Sequence, residues 1–146
     1  MKIAIGADHA GFADKEKIKR QLDELGVEYE DVGTNSTESV DYPVYARKVA
    51  EKVANGEAEQ GILVCGSGNG MQIAANKIRG VRAALAWNAE TARLARQHND
   101  ANVLSVPARM IPPEEVAKII ESWLNADFEG GRHARRVAEI SDFEKS

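Results

Sequence analysis

The chain has 146 residues, 43% hydrophobic and 29% charged, with a formal net charge of −4. That length suits one domain, residues 1–146, with a real core, and the acidic balance gives no reason to expect nucleic acid or an anionic membrane as partner. One cysteine excludes an intrachain disulfide, no apolar run approaches the roughly 20 residues of a bilayer span, and no secretory leader is read, so a cytoplasmic chain is expected.

The apolar pattern alternates short β-rich runs with longer helical ones. "KIAIGA" reads as a buried strand, followed by a helix carrying Ile18, Leu22 and Leu25 on one face and stopped by Gly26. Residues 27–33 read as a second strand, and "TNSTES" as a polar loop. Asp41-Tyr42-Pro43 opens a helix with Tyr45, Val49 and Val53 on one face. "GILVCG" is a continuous apolar run, the pattern of a central parallel strand covered on both faces. A helix is expected near 70–77, a strand over 81–87, a helix through "AETARLARQ" and a fifth strand over 102–107. Pro112-Pro113 begins a helix whose buried stripe is Val116, Ile119, Ile120, Trp123 and Leu124. The last helix, about 131–141, follows Gly130-Gly131 and carries Val137, Ile140 and Phe143.

Five alternations of strand and helix predict an α/β sandwich around a parallel sheet. In such folds ligands bind beyond the carboxyl ends of the strands, near a reversal of strand order. The segments at those ends are "DHAG", "GTNSTESVDYP", "CGSGNG", "WNAE" and "PARM", where the polar and glycine content gathers.

Cys65 ends the third strand, and residues 66–70 lead into a helix. Alternate glycines allow tight turns and close ligand approach, and successive amides at a helix start form an anion cradle. Such a field predicts a thiol pKa lowered from its usual ~8.5, and a thiolate beside an oxyanion cradle suits proton abstraction next to a carbonyl. A small, inert core cysteine beside an ordinary turn accounts for the same residues. His9 follows the first strand at the binding edge, and His98 closes the fourth helix; each has a structural alternative. His133, among arginines, reads as solvated. Arg132 and Arg136 share a helical face and lie in its first turns, where the dipole disfavours cations by about 0.3–1 kcal/mol each. A cluster kept there suggests an anionic partner, and phosphate fits the guanidinium fork.

"DHAG", "VDYP", "CGSGNGMQIAANK", "GVRAAL", "LARQHNDANVL", "PARM" and "EGGRHARRV", in this order, resemble the type B ribose-5-phosphate isomerases across nearly the whole chain. That family also contains allose-6-phosphate isomerases and galactose-6-phosphate isomerase subunits. The resemblance implies a three-layer Rossmann-like sandwich around a five-stranded parallel sheet. It implies aldose–ketose isomerisation through an enediolate after furanose ring opening, with no cofactor and no metal. It also implies a homodimer with shared sites, or a dimer of such dimers. By resemblance, Cys65 is the base that moves the proton between C1 and C2. Ser67, with the amides of Gly66, Gly68, Asn69 and Gly70, is the anion hole. His98 opens the ring, reaching the partner subunit's site. Asp8 and Asn99 contact sugar hydroxyls, and His9, Arg109, Arg132 and Arg136 bind phosphate. One branch of the family pairs a "GSGNG" loop with a Glu base; that position here is Met71, which cannot take a proton.

The expected reaction interconverts ribose 5-phosphate and ribulose 5-phosphate. A six-carbon sugar phosphate is the alternative within the class, and a non-catalytic phosphate sensor on the same fold is the alternative outside it. The small Ala92 and Ala95 of the fourth helix are expected to admit close approach of another chain.

Overall fold

The central strands are apolar on both sides because helices cover both faces. Residues 1–145 are described by a computed structural model. The order is β1 (Lys2–Ala7), α1 (Phe12–Glu24), β2 (Glu28–Asp31), α2 (Tyr42–Ala54), β3 (Gln60–Cys65) and α3 (Asn69–Ala75). Then follow β4 (Ala83–Leu85), α4 (Ala89–Asn99), β5 (Val103–Pro107), α5 (Pro113–Leu124), α6 (Arg132–Asp142) and a 3₁₀ turn, Phe143–Lys145. All strand pairs are parallel, in the order β2-β1-β3-β5-β4. This is the expected α/β sandwich.

Side chains alternate across the sheet with period two. Ile3, Ile5, Ile62, Val64, Leu104 and Val106 face a layer formed by α1, α4 and α5, where Trp123 is fully buried. Ala4, Leu63, Cys65 and Val103 face the other layer, formed by α2 and α3. The second layer lies close because two strand positions have no side chain. A Cβ on Gly6 or Gly61 would come within 2.9 or 2.5 Å of the Val49 side chain. Among the described residues no helix is long and apolar enough to cross a membrane.

The edge strands are shorter than their apolar runs. At β4, the Arg82 and Ala83 amides donate to the side chains of Asn102 (2.7 Å) and Asn76 (2.7 Å), which ends the ladder early. Leu25, Ile140 and Phe143, expected on apolar faces, are exposed, with Leu25 at the cap of α1 and Phe143 past the end of α6. Ala92 and Ala95 are buried in this chain's own core, within the α1–α4–α5 layer. Ala92, wholly covered, is not open to another chain, which corrects that part of the expectation, while Ala95 also lines an open groove.

One charged group lies wholly inside. Lys15 is 0% exposed, and its Nζ donates to both carboxylate oxygens of Asp31 at 2.7 Å. Burial pushes the Asp31 carboxyl upward, but Lys15, Lys19 and the Gly33 amide outweigh it and hold the group below its ordinary value.

Candidate active site

The strand order reverses between β1 and β3: β1 leads outward to β2, and the chain then returns to β3 on the other side. A ligand site belongs at the carboxyl ends of these two strands. A cavity of about 310 Å³ opens there, lined by Asp8, His9, Ala10, Tyr42, Cys65, Gly66, Ser67, Gly70, Met71 and Arg109. Four of the five polar segments singled out in the sequence converge on it. The fifth, "WNAE", serves a structural purpose: the Asn88 side chain accepts from the Thr91 amide at 2.8 Å and caps α4.

Backbone constraints shape the pocket. Gly68 has φ +83°, and a Cβ there would lie 2.4 Å from the Leu85 side chain. The hydroxyl of buried Ser105 donates to the Gly68 carbonyl at 2.8 Å and pins the turn. The Tyr42 ring packs against Gly70, where a Cβ would meet it at 2.5 Å. Gly11 lets the first loop press on the end of β3, since its Cβ would fall 2.0 Å from the Val64 carbonyl.

The side chains are held in distinct ways. Asp8 is buried and its Oδ1 accepts from the Gly11 amide at 2.9 Å. His9 Nδ1 accepts from the Val40 amide at 3.1 Å, which leaves the ring proton on Nε2 while the ring is neutral. Arg109 is exposed at the rim, its amide bonded to the Gly66 carbonyl at 3.1 Å. Ser67 is exposed, and its Oγ accepts from the Asn69 amide at 3.3 Å. Gly68 and Asn69 belong to the loop but do not line the cavity.

Cys65 is 4% exposed. Burial, followed by the nearby Asp8 carboxylate, pushes the thiol up to about 11, against smaller opposing pulls from the Gly68 and Met71 amides. The thiol of this chain is therefore protonated at neutral pH, contrary to the expectation of a lowered pKa. The loop amides do point at the sulfur, but α3 is short and desolvation outweighs them.

The other expected residues lie elsewhere. In a parallel sheet covered by helices, each helix runs back against the strands, so α4 ends at the amino edge. The Asn102 carbonyl, just past that end, bonds the Gly61 amide at the start of β3 at 2.8 Å. His98 and Asn99 are thus about a strand length, roughly 15–20 Å, from Cys65. Arg132 and Arg136 start α6 beside them. His98 stacks on His133, ring centroids 4.2 Å apart and planes 9° from parallel. Glu129 Oε1 faces both, 3.6 Å from His98 Nε2 and 3.7 Å from His133 Nε2. His133 is therefore packed rather than solvated, correcting the sequence reading. These three side chains are close enough to consider as a metal seat. Metal ligands, however, need lone pairs converging on one point about 2 Å away, and nearly parallel stacked rings present theirs side by side.

Sequence reasoning missed Tyr42, Ser105, Glu129 and His133. Tyr42, Glu129 and His133 lay within quoted motifs but were given no role there, and Ser105 lay in no motif.

The Ribose/Galactose Isomerase family model matches residues 3–140, and the chain belongs to that family. It is 49% identical over 144 residues to ribose-5-phosphate isomerase B of Escherichia coli, covering 99% of this chain and 97% of that one. Ribose-5-phosphate isomerase B of Clostridium thermocellum superposes with a TM-score of 0.98 at 48% identity, covering 99% and 98% of the two chains. The Mycoplasma genitalium enzyme, solved with bound ribulose-5-phosphate, gives a TM-score of 0.95 at 44% identity, covering 99% and 97%.

Proposed function

We propose that this isomerase interconverts ribose 5-phosphate and ribulose 5-phosphate, with Cys65 as the base and each site completed by a second copy of the chain. The observation that carries the residue roles is the buried Cys65 thiol at the switch point, sharing its small cavity with Asp8, His9 and Arg109.

The chemistry follows from that arrangement. The furanose opens when the C1–O4 bond breaks, the anomeric hydroxyl giving up a proton and the ring oxygen gaining one. Cys65, as thiolate, then takes the C2 proton of the aldose, and the negative charge develops on the C1 oxygen. Amides of the loop and the Ser67 hydroxyl face that oxyanion. The C2 hydroxyl proton passes to the C1 oxygen, and returning the first proton to C1 as the C2 carbonyl forms completes the ketose. No oxidant is needed, because C1 is reduced as C2 is oxidised.

Two features support a shared site. His98, Asn99, Arg132 and Arg136 sit at the opposite sheet edge from Cys65, so a single chain holds two incomplete halves. Tyr42, which lines the Cys65 cavity, is also exposed, as are Val44, two residues on from it, and Met110, next to the lining Arg109, apolar surface suited to cover by protein. A partner placing His98, Arg132 and Arg136 there adds positive charge, which pulls the thiol downward toward a working range.

Mixed dimers test both claims. Cys65→Ala and His98→Ala chains are refolded together, with mixed dimers confirmed by mass spectrometry. A shared site restores about a quarter of wild-type turnover, since half the dimers are mixed and each holds one whole site of two. No recovery rejects the shared site. The substrate is tested by deuterium exchange in heavy water with ribose, allose and galactose phosphates. Exchange only with six-carbon sugars overturns the pentose assignment.

A further inference from the structure

The cluster at the amino edge joins two elements through three side chains. The Glu129 amide donates to the Gln97 carbonyl at 3.0 Å, tying the segment before α6 to the last turn of α4, next to His98. His133 lies against the His98 ring with side-chain exposure of only 12%, while His98 keeps 38%. One face of His98 is thus covered, its Nε2 is met by a carboxylate, and the rest of the ring is open. A histidine that only filled space would be buried, and one that was only solvated would carry no stack.

We propose that Glu129 and His133 are positioning residues that hold the His98 imidazole in one orientation for furanose ring opening. The inference rests on the shared-site reading, in which His98 serves the partner's pocket. His133 sets the plane of the ring, and Glu129 holds its Nε2 edge. Burial, then the positive charges of His98 and Arg132, hold His133 below its ordinary value, so it stacks as a neutral ring at pH 7. Both residues act through His98 and touch no substrate.

The chemistry supplies a selective test. Ribose 5-phosphate is cyclic and must be opened. Ribulose 5-phosphate cannot close a furanose, because its C5 oxygen is esterified, so proton exchange at its C1 bypasses ring opening. Glu129→Gln, His133→Ala, His133→Phe and His98→Ala are each assayed for turnover of ribose 5-phosphate and for C1 deuterium exchange of ribulose 5-phosphate.

Glu129→Gln and His133→Ala are expected to lose about ten- to hundred-fold in turnover of the cyclic sugar, the range for a catalytic group no longer held in its working orientation. Exchange in the open-chain sugar is expected to fall no more than about three-fold, and His133→Phe, which keeps the stack, should recover most of the turnover. Equal losses in both assays, or none in the first, overturn the positioning role. His98→Ala separates the two levels. If His98→Ala shows the split and the neighbours do not, the inference fails and the reading stands. If His98→Ala loses both activities alike, ring opening by His98 itself fails.

Discussion

The two ends of the sheet carry complementary chemistry and are built in different ways. At the carboxyl edge the pocket is made by backbone: a left-handed Gly68, a ring lying on Gly70, and a buried hydroxyl holding a carbonyl. At the amino edge the groups are side chains on helix ends, and Arg132 and Arg136 stand exposed. The contrast matches the tasks proposed for each. A proton-transfer base gains from a dry, rigid seat, whereas cations that reach a phosphate can stay hydrated until a ligand and a partner enclose them.

The sharpest way to break this division is to delete the thiol. Cys65→Ala should lower isomerisation and solvent exchange by about 10²–10⁴-fold while ribulose 5-phosphate still binds, as calorimetry would record. Near-normal turnover would move the base elsewhere.

At the other end, Arg136→Ala should weaken phosphorylated ligands by about 1.5–3 kcal/mol and leave unphosphorylated sugars unchanged. Equal weakening of both would assign the arginine to folding or assembly instead.

The buried thiol also predicts a pH effect on stability. An unfolded thiol ionises near its usual ~8.5, whereas the folded one keeps its proton up to about 11. The unfolded state therefore gains from ionisation first, so stability is flat below about pH 8.5 and falls as the pH rises toward 11. The loss is at most about 3.4 kcal/mol, less where solvent screens the sulfur, read as the difference in denaturant stability between wild type and Cys65→Ala across that window. A partner that lowers the thiol would shrink the effect, so comparing dilute and concentrated protein sharpens the test.

The smallest contrast concerns scaffolding. Ser105→Ala leaves the Gly68 carbonyl without its buried donor and should cost about 1–2 kcal/mol in urea unfolding. Arg132→Ala, on the exposed helix, should stay within about 0.5 kcal/mol. Similar costs at both places would mean that the two regions are not built differently after all.

All five strands and six helices were legible because β3 is one continuous apolar run between glycines and the buried face of a helix such as α5 repeats near 3.6 residues. Strand ends were less so. Asn76 and Asn102 cut β4 short with side-chain bonds that no local pattern announces. The carboxyl-edge pocket was largely readable, since glycines and polar residues cluster after the strands that build it. Two things were not. The thiol's pKa depends on how deeply the strand end is covered and on Asp8, a residue distant in sequence. The cluster of Glu129, His133 and His98 depends on α6 folding back on α4, so His133 looked like one more polar residue in a basic stretch.

The buried Lys15 ammonium has a practical consequence. Amine-reactive reagents label exposed lysines at once, but this one is sealed between α1 and the end of β2, with Asp31 on its nitrogen. It can react only when α1 lifts away. Time-resolved labelling followed by peptide mass spectrometry would therefore read the opening frequency of that helix from a single residue. Lys17, on the same helix but exposed, would serve as the internal clock.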